Sequence, residues 1–139
     1  LFRSFGAGSV TASAPLLGVV GAALGAYALV AVAVGFLIGQ IGLGRSAANA
    51  VANIGGMALS FIAGAWIPSG WLPDAVVAVS RFTPGYWAVR AISGAHTAAS
   101  MSADTIGLLL ADCGVCALFA LAIAAVSLGM GRTRARASV

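Results

Sequence analysis

From Leu16 to Gln40 the chain carries no charged residue. Coiled as an α-helix, at about 1.5 Å per residue, this run reaches roughly 37 Å. That exceeds the hydrocarbon thickness of a bilayer, about 30 Å, and is enough to span it with some tilt. Ala47 to Ile67 is a second uncharged run, and Ile106 to Met130 a third, interrupted only by Asp112. None of the three alternates apolar and polar residues, so a β-barrel is not indicated. Composition points the same way: 61% of residues are hydrophobic and 7% charged, against about 25% charged in a soluble domain. So few charges cannot cover a water-facing surface. The fold expected is an all-α integral membrane protein with three transmembrane helices, over about 16–40, 47–67 and 106–130.

Local signals punctuate these runs. Pro15 suits the first turn of the first helix. Gly21 and Gly25, then Gly35 and Gly39, repeat the small-xxx-small spacing that lets helices approach closely in lipid. Gly42, Gly44 and Arg45 make a turn, and Ser46 is the expected N-cap of the second helix. Asn49 and Asn53 share one face of that helix and are expected to face protein or water, since an amide turned to lipid is costly. Ser102 and Asp104 open the third long helix, and Gly131 is expected to end it. Asp112 lies inside that span, where an acid is a functional candidate by default. Asn49, Asn53 and Asp112 are therefore the polar residues expected along a pathway. Cys113 and Cys116 have redox or half-zinc spacing, but both sit in an apolar run and His96 alone cannot complete four ligands. They read as packing residues. His96 itself falls in a stretch, Ser93 to Thr105, that reads as a polar loop. No catalytic, cofactor-binding or metal-binding residues are assigned, and the chain is not expected to be an enzyme.

Between the second and third spans the character changes. Pro68, Pro73 and Pro84 interleave with Trp71, Phe82 and Trp87. Pro73 and Asp74 suit the start of a short helix, and Leu72, Val76 and Val79 fall on one stripe of it. Thr83 and Pro84 repeat the signal before Tyr86, Trp87 and Arg90, where Trp87 and Arg90 are one turn apart and within cation–π reach. The pieces are too short to span, and Trp and Tyr favour the headgroup level. The expectation is an interfacial or re-entrant helical hairpin over about 72–92.

All seven basic residues are Arg, and the net charge is +4. Nucleic-acid binding needs a dense basic face, which this chain lacks. Arg132, Arg134 and Arg136 form a basic tail, 131–139, expected on the cytoplasmic side. The hairpin is then extracytoplasmic. The start at Leu1 and the absence of a signal-peptide pattern lead to the expectation that this is the carboxy-terminal part of a longer protein.

The stretch Gly55–Ile92 resembles the carboxy-terminal half of a bacterial ABC type-2 (ABC-2) exporter permease. The matching features are Gly64-Ala-Trp-Ile-Pro68, then Leu72-Pro73, a short amphipathic helix over Ala75–Phe82, and Thr83-Pro84-Gly-Tyr86-Trp87, flanked by spans in the same order. The resemblance implies a multi-pass protein of the bacterial plasma membrane with the permease subunit acting as a homodimer or paired with a second permease subunit. It implies a separate ATP-binding cassette subunit that hydrolyses ATP, which fits the lack of a phosphate loop here. Pro68, Leu72, Pro73, Val76, Val79, Pro84, Tyr86 and Trp87 would form the outer gate. No cofactor is expected in this chain. The alternatives are a non-transport membrane scaffold or assembly subunit packing through its small-residue faces, and an intramembrane enzyme.

Overall fold

A computed structural model describes residues 14–67, 69–98 and 100–137, with the backbone alone for Ser69 and residues 134–137. The described residues are all-helical: α1 (Ala14–Ile41), α2 (Arg45–Ile62), a single 3-10 turn (Ser69–Trp71), α3 (Asp74–Ser80), α4 (Pro84–Thr97) and α5 (Ala103–Ala137). Pro68, expected to break the second helix, lies outside the described residues. The Arg134 and Arg136 side chains are likewise outside them.

α2 ends at Ile62, short of the expected Ile67, because Gly64 turns the chain. Gly64 has φ +79°, which costs a glycine little. Its N–H donates to the Phe61 carbonyl at 3.1 Å, and the Ala65 N–H donates to the Ser60 carbonyl at 3.1 Å. This pair of bonds is a Schellman cap and satisfies carbonyls that a helix end leaves open. α2 begins at Arg45 with Gly44, not Ser46, in the N-cap position. Ser102 behaves as expected, accepting a bond from the Thr105 N–H at 3.3 Å. Two other boundaries differ. α4 continues to Thr97, so His96 lies in a helical last turn. α5 passes Gly131 and remains helical to Ala137, since a glycine inside a helix that is otherwise well formed lowers stability without stopping it.

α1, α4 and α5 pack together, and α2 and α3 touch this body only lightly. The core is layered. Val19, Ala95 and Leu109 form one layer, and Ala23, Ala91 and Cys113 the next. Ala26, Val30, Ala88, Cys116 and Ala120 form the third. Residue numbers rise through these layers in α1 and α5 and fall in α4. So α1 and α5 run parallel, and α4 runs antiparallel between them. The α1–α5 contact persists to their far ends, where Gln40 lies against Gly131.

Two parallel helices need a return path, and α2 and α4 share it. A β-carbon placed on Gly85 would lie 2.9 Å from the Ala63 Cβ and 3.8 Å from the Tyr27 ring. The end of α2 and the start of α4 thus meet beside Tyr27. That is roughly 21 Å along α1 from Ile41, near the middle of its length. From there α4 continues to the Leu16 end. The intervening segment leaves and rejoins at this middle level.

α1 and α5 are both long and apolar enough to cross a membrane. Only 28% of the most apolar window of each is buried inside the chain. Leu17, Leu24, Leu29, Val32 and Phe36 of α1, and Leu108, Leu118, Leu121 and Leu128 of α5, stand exposed. A core helix of a soluble domain would be mostly covered, so these faces suit lipid or partner helices. α2 is not among the helices that meet this test; it is 18 residues long and carries Arg45, Asn49 and Asn53. Gly21, Gly25, Gly35 and Gly39 have nothing within 4 Å of where a β-carbon would stand. The expected close packing at those glycines therefore does not occur among the described residues. It occurs at Ala23 and Ala91, both 0% exposed, and at Gly85 and Gly94.

The two crowded glycines differ in what they meet. At Gly94 the neighbour is the Leu109 Cδ2 at 2.6 Å, the tip of a side chain that can rotate away. At Gly85 it is the Ala63 Cβ, fixed to the backbone beside the Gly64 turn. Gly85→Ala should therefore lower stability by about 1–3 kcal/mol, within the range for overpacking, and Gly94→Ala by less. Thermal unfolding of both variants in the same detergent checks the order.

Candidate functional site

The meeting of α2 and α4 leaves two clefts. One has a volume of about 370 Å³ and is lined by Ala63, Gly64 and the α4 face bearing Tyr86, Arg90, Ser93 and Thr97. The other, about 130 Å³, is apolar and includes Leu24, Tyr27, Ala88 and Ile92. Ala63 and Val89 line both, so a polar cleft adjoins an apolar one at the break in the return path.

Arg90 is the charged group of this site. Its Nε lies 3.2 Å from Asp112 Oδ2, with the Arg90 side chain 53% exposed and that of Asp112 only 9%. The guanidinium also stands 5.3 Å from the centre of the Trp87 ring, the cation–π contact expected from their spacing. Trp87 meets Tyr86 edge-on at 5.4 Å and donates from Nε1 to the Arg81 carbonyl at 2.9 Å. A continuous line of contacts therefore runs from the end of α3, through Trp87 and Arg90 of α4, to Asp112 of α5. Asp112 is buried and its charge needs a partner; α4 supplies it. Other polar side chains are satisfied within their own helices: Ser60 donates to the Gly56 carbonyl at 2.8 Å and, much further along α5, Ser127 to the Ile123 carbonyl at 2.8 Å.

The expected pathway residues are not gathered in one place. Asn49 and Asn53 are exposed on α2, and among the described residues no hydrogen bond links either to Asp112. The expected gate residues are split as well. Pro73 precedes α3 as its N-cap, and Pro84 is the first residue of α4. Leu72 and Val76 are half-buried, and Val79 is exposed. Trp87 packs against the cluster of Ala26, Val30, Ala88, Cys116 and Ala120. Cys113 and Cys116 are free, buried and part of the layered core. Arg90 is the residue of this cleft that sequence reasoning underrated, noting only its reach to Trp87. The available signal was the acid at Asp112, which required a cation at the same depth.

No protein-family model, curated protein or solved structure matches the chain. The arrangement itself offers a half-free guanidinium, hydroxyls from Ser93 and Tyr86, and an apolar annex. That is equipment for holding an anionic or polar group.

The ion pair makes an asymmetric prediction. Arg90→Gln strands a buried carboxylate and should cost about 3 kcal/mol, the low end for breaking a buried pair because Arg90 is itself half exposed. Asp112→Asn strands only an exposed cation and should cost less. The Arg90→Gln/Asp112→Asn double variant should be more stable than Arg90→Gln alone. A double-mutant cycle on unfolding free energies measures this.

Proposed function

We propose that the chain is part of a transmembrane permease subunit of an ATP-driven exporter of the ABC-2 type. In this reading α1 and α5 are spans of the bacterial plasma membrane, and α2 enters from the Ile41 end to mid-depth, where α4 takes up the crossing. α3 and α4 are the re-entrant pair that closes the extracytoplasmic end of the pathway. The supporting observation is the break in the return path at Ala63 and Gly85, near the middle of α1. Irregular backbone at membrane depth is tolerated only where it is buried in protein or lines a water-filled cavity. Interrupted helices at mid-depth are the places where transporters build their pathways. The short helix α4, starting at that depth and rising to the end of α1, also fits the resemblance of Gly55–Ile92 to the ABC-2 pattern.

α2 would stop inside the layer, at its Schellman turn. Its length of 18 residues corresponds to roughly 27 Å, a little under the hydrocarbon thickness. Asn49, Asn53 and Asp112 then contribute polar surface on separate helices, to be completed by the paired permease subunit. Energy enters from an ATP-binding cassette subunit on the side of the Arg132 end. One observation favours a second reading, a membrane scaffold: the α1 glycine faces stand open and could receive partner helices.

The gate is testable through Val76. A half-buried valine contributes at most about 1.5–3 kcal/mol, enough to favour closure and still be overcome by ATP-driven movement. In the full-length permease reconstituted with its ATP-binding subunit, Val76→Asp should raise basal ATP turnover while membrane insertion stays unchanged. Unchanged turnover and transport per inserted molecule would remove the gate. Failure of the protein to associate with any ATP-binding subunit would remove the permease reading itself.

A further inference from the structure

Arg90 has more donors than its known partner uses. A guanidinium presents five N–H groups in a planar fork, and Asp112 is met by Nε. The rest of the side chain is exposed to the polar cleft, whose wall also bears Ser93, Tyr86 and Thr97, the last with its hydroxyl already donated to the Ser93 carbonyl at 2.9 Å. Thr97 closes the cleft at the Leu16 end of the body, where α4 finishes. The cleft thus runs along α4 from the middle of α1 to the end of the helices. At its inner end it adjoins the apolar cleft beside Leu24, Tyr27 and Ile92.

A cation at this depth is costly when left to hydrocarbon. Asp112 offsets part of that cost but does not cover the outward side of the fork. The shape that covers it has an anionic head for Arg90 and the hydroxyls, and an apolar chain for the annex. We propose that this pair of clefts is a binding site for a bilayer lipid with an anionic phosphate headgroup. The phosphate lies against Arg90 and reaches Ser93, and one acyl chain enters the apolar cleft past Ala63 and Val89. Arg is well matched to such an anion because its fork pairs with two phosphate oxygens at once. The site is a property of this chain in a membrane and stands whether or not the chain moves a substrate.

Trp87, next to Arg90, is a built-in reporter. With Trp66→Phe and Trp71→Phe, Trp87 is the single tryptophan of the chain, which is placed in phosphatidylcholine nanodiscs. Brominated phosphatidylglycerol or brominated phosphatidylcholine with the same acyl chains is then added at increasing mole fraction, and quenching of Trp87 is followed. The expected result is half-maximal quenching at an about tenfold or more lower fraction of the anionic lipid, the scale of a charge-assisted hydrogen bond. Arg90→Gln/Asp112→Asn, which removes the charge without stranding the carboxylate, should bring the two lipids together. Ser93→Leu, at an exposed position on the cleft wall, should do so while leaving the ion pair intact. Arg90→Lys should keep a preference. Equal quenching in the parent chain, or a preference that survives both the double variant and Ser93→Leu, would overturn the site. So would loss of the preference on adding inorganic phosphate, which would mark a site for the free anion in place of the lipid.

Discussion

The contact of Ala23 with Ala91 sets the geometry of the body formed by α1, α4 and α5. Both side chains are 0% exposed, and at their level α4 lies in the angle between α1 and α5 with Cys113 completing the layer. Between apolar helices in lipid the hydrophobic effect gives little drive, so close approach and dispersion must hold them. Small side chains are what allow that approach. Alanines recur along α4 at 88, 91 and 95, each buried, and this spacing presents one narrow strip of the helix to its two neighbours. A larger residue on that strip would push α4 out and separate α1 from α5.

With α4 seated, the polar residues on its remaining surface have few places to go. Arg90 leaves the strip at an angle that lets it reach Asp112 on α5 while facing the cleft. Trp87 fills the lower edge of the core and, through its bond to the Arg81 carbonyl, holds the end of α3 beside α4. The ion pair is therefore set at the junction of the body and the broken return path. Its electrostatic work is to make a buried acid tolerable, and its consequence is a guanidinium turned toward the cleft between α2 and α4.

Much of this was legible in the residues and some was not. The helices α1 and α5 follow from uncharged length, and the starts of α3 and α4 from Asp74 and Pro84. The end of α2 was misread because hydropathy continues through Trp66 and Ile67, whereas the backbone turns at Gly64, a signal carried by one residue. Gly131 was given the opposite weight: it sits in an apolar helix that continues through it. The glycine repeats of α1 marked small surface without saying whether that surface meets other parts of the chain, and among the described residues it meets none. The pairing of Arg90 with Asp112 was hidden by sequence separation. It depends on α4 running antiparallel to α5, and that direction is set by packing between distant alanines. Asn49 and Asn53 resembled Asp112 in being polar within apolar runs, yet they sit on α2, which hardly joins the body.

The permease reading and the lipid site both rest on one architectural claim: α1 and α5 run parallel, with the return path broken between them at Ala63 and Gly85. The most direct measurement is the distance between spin labels at Gly39 and Arg132, exposed positions near the far ends of α1 and α5. Parallel packing places these labels close together, within about 20 Å, allowing for two label arms and the 10–12 Å helix diameter. An antiparallel pair would separate them by about 40 Å, the length of a helix the size of α1. A single narrow distribution at the short distance in a bilayer is the predicted result, and one centred near the long distance would contradict the account.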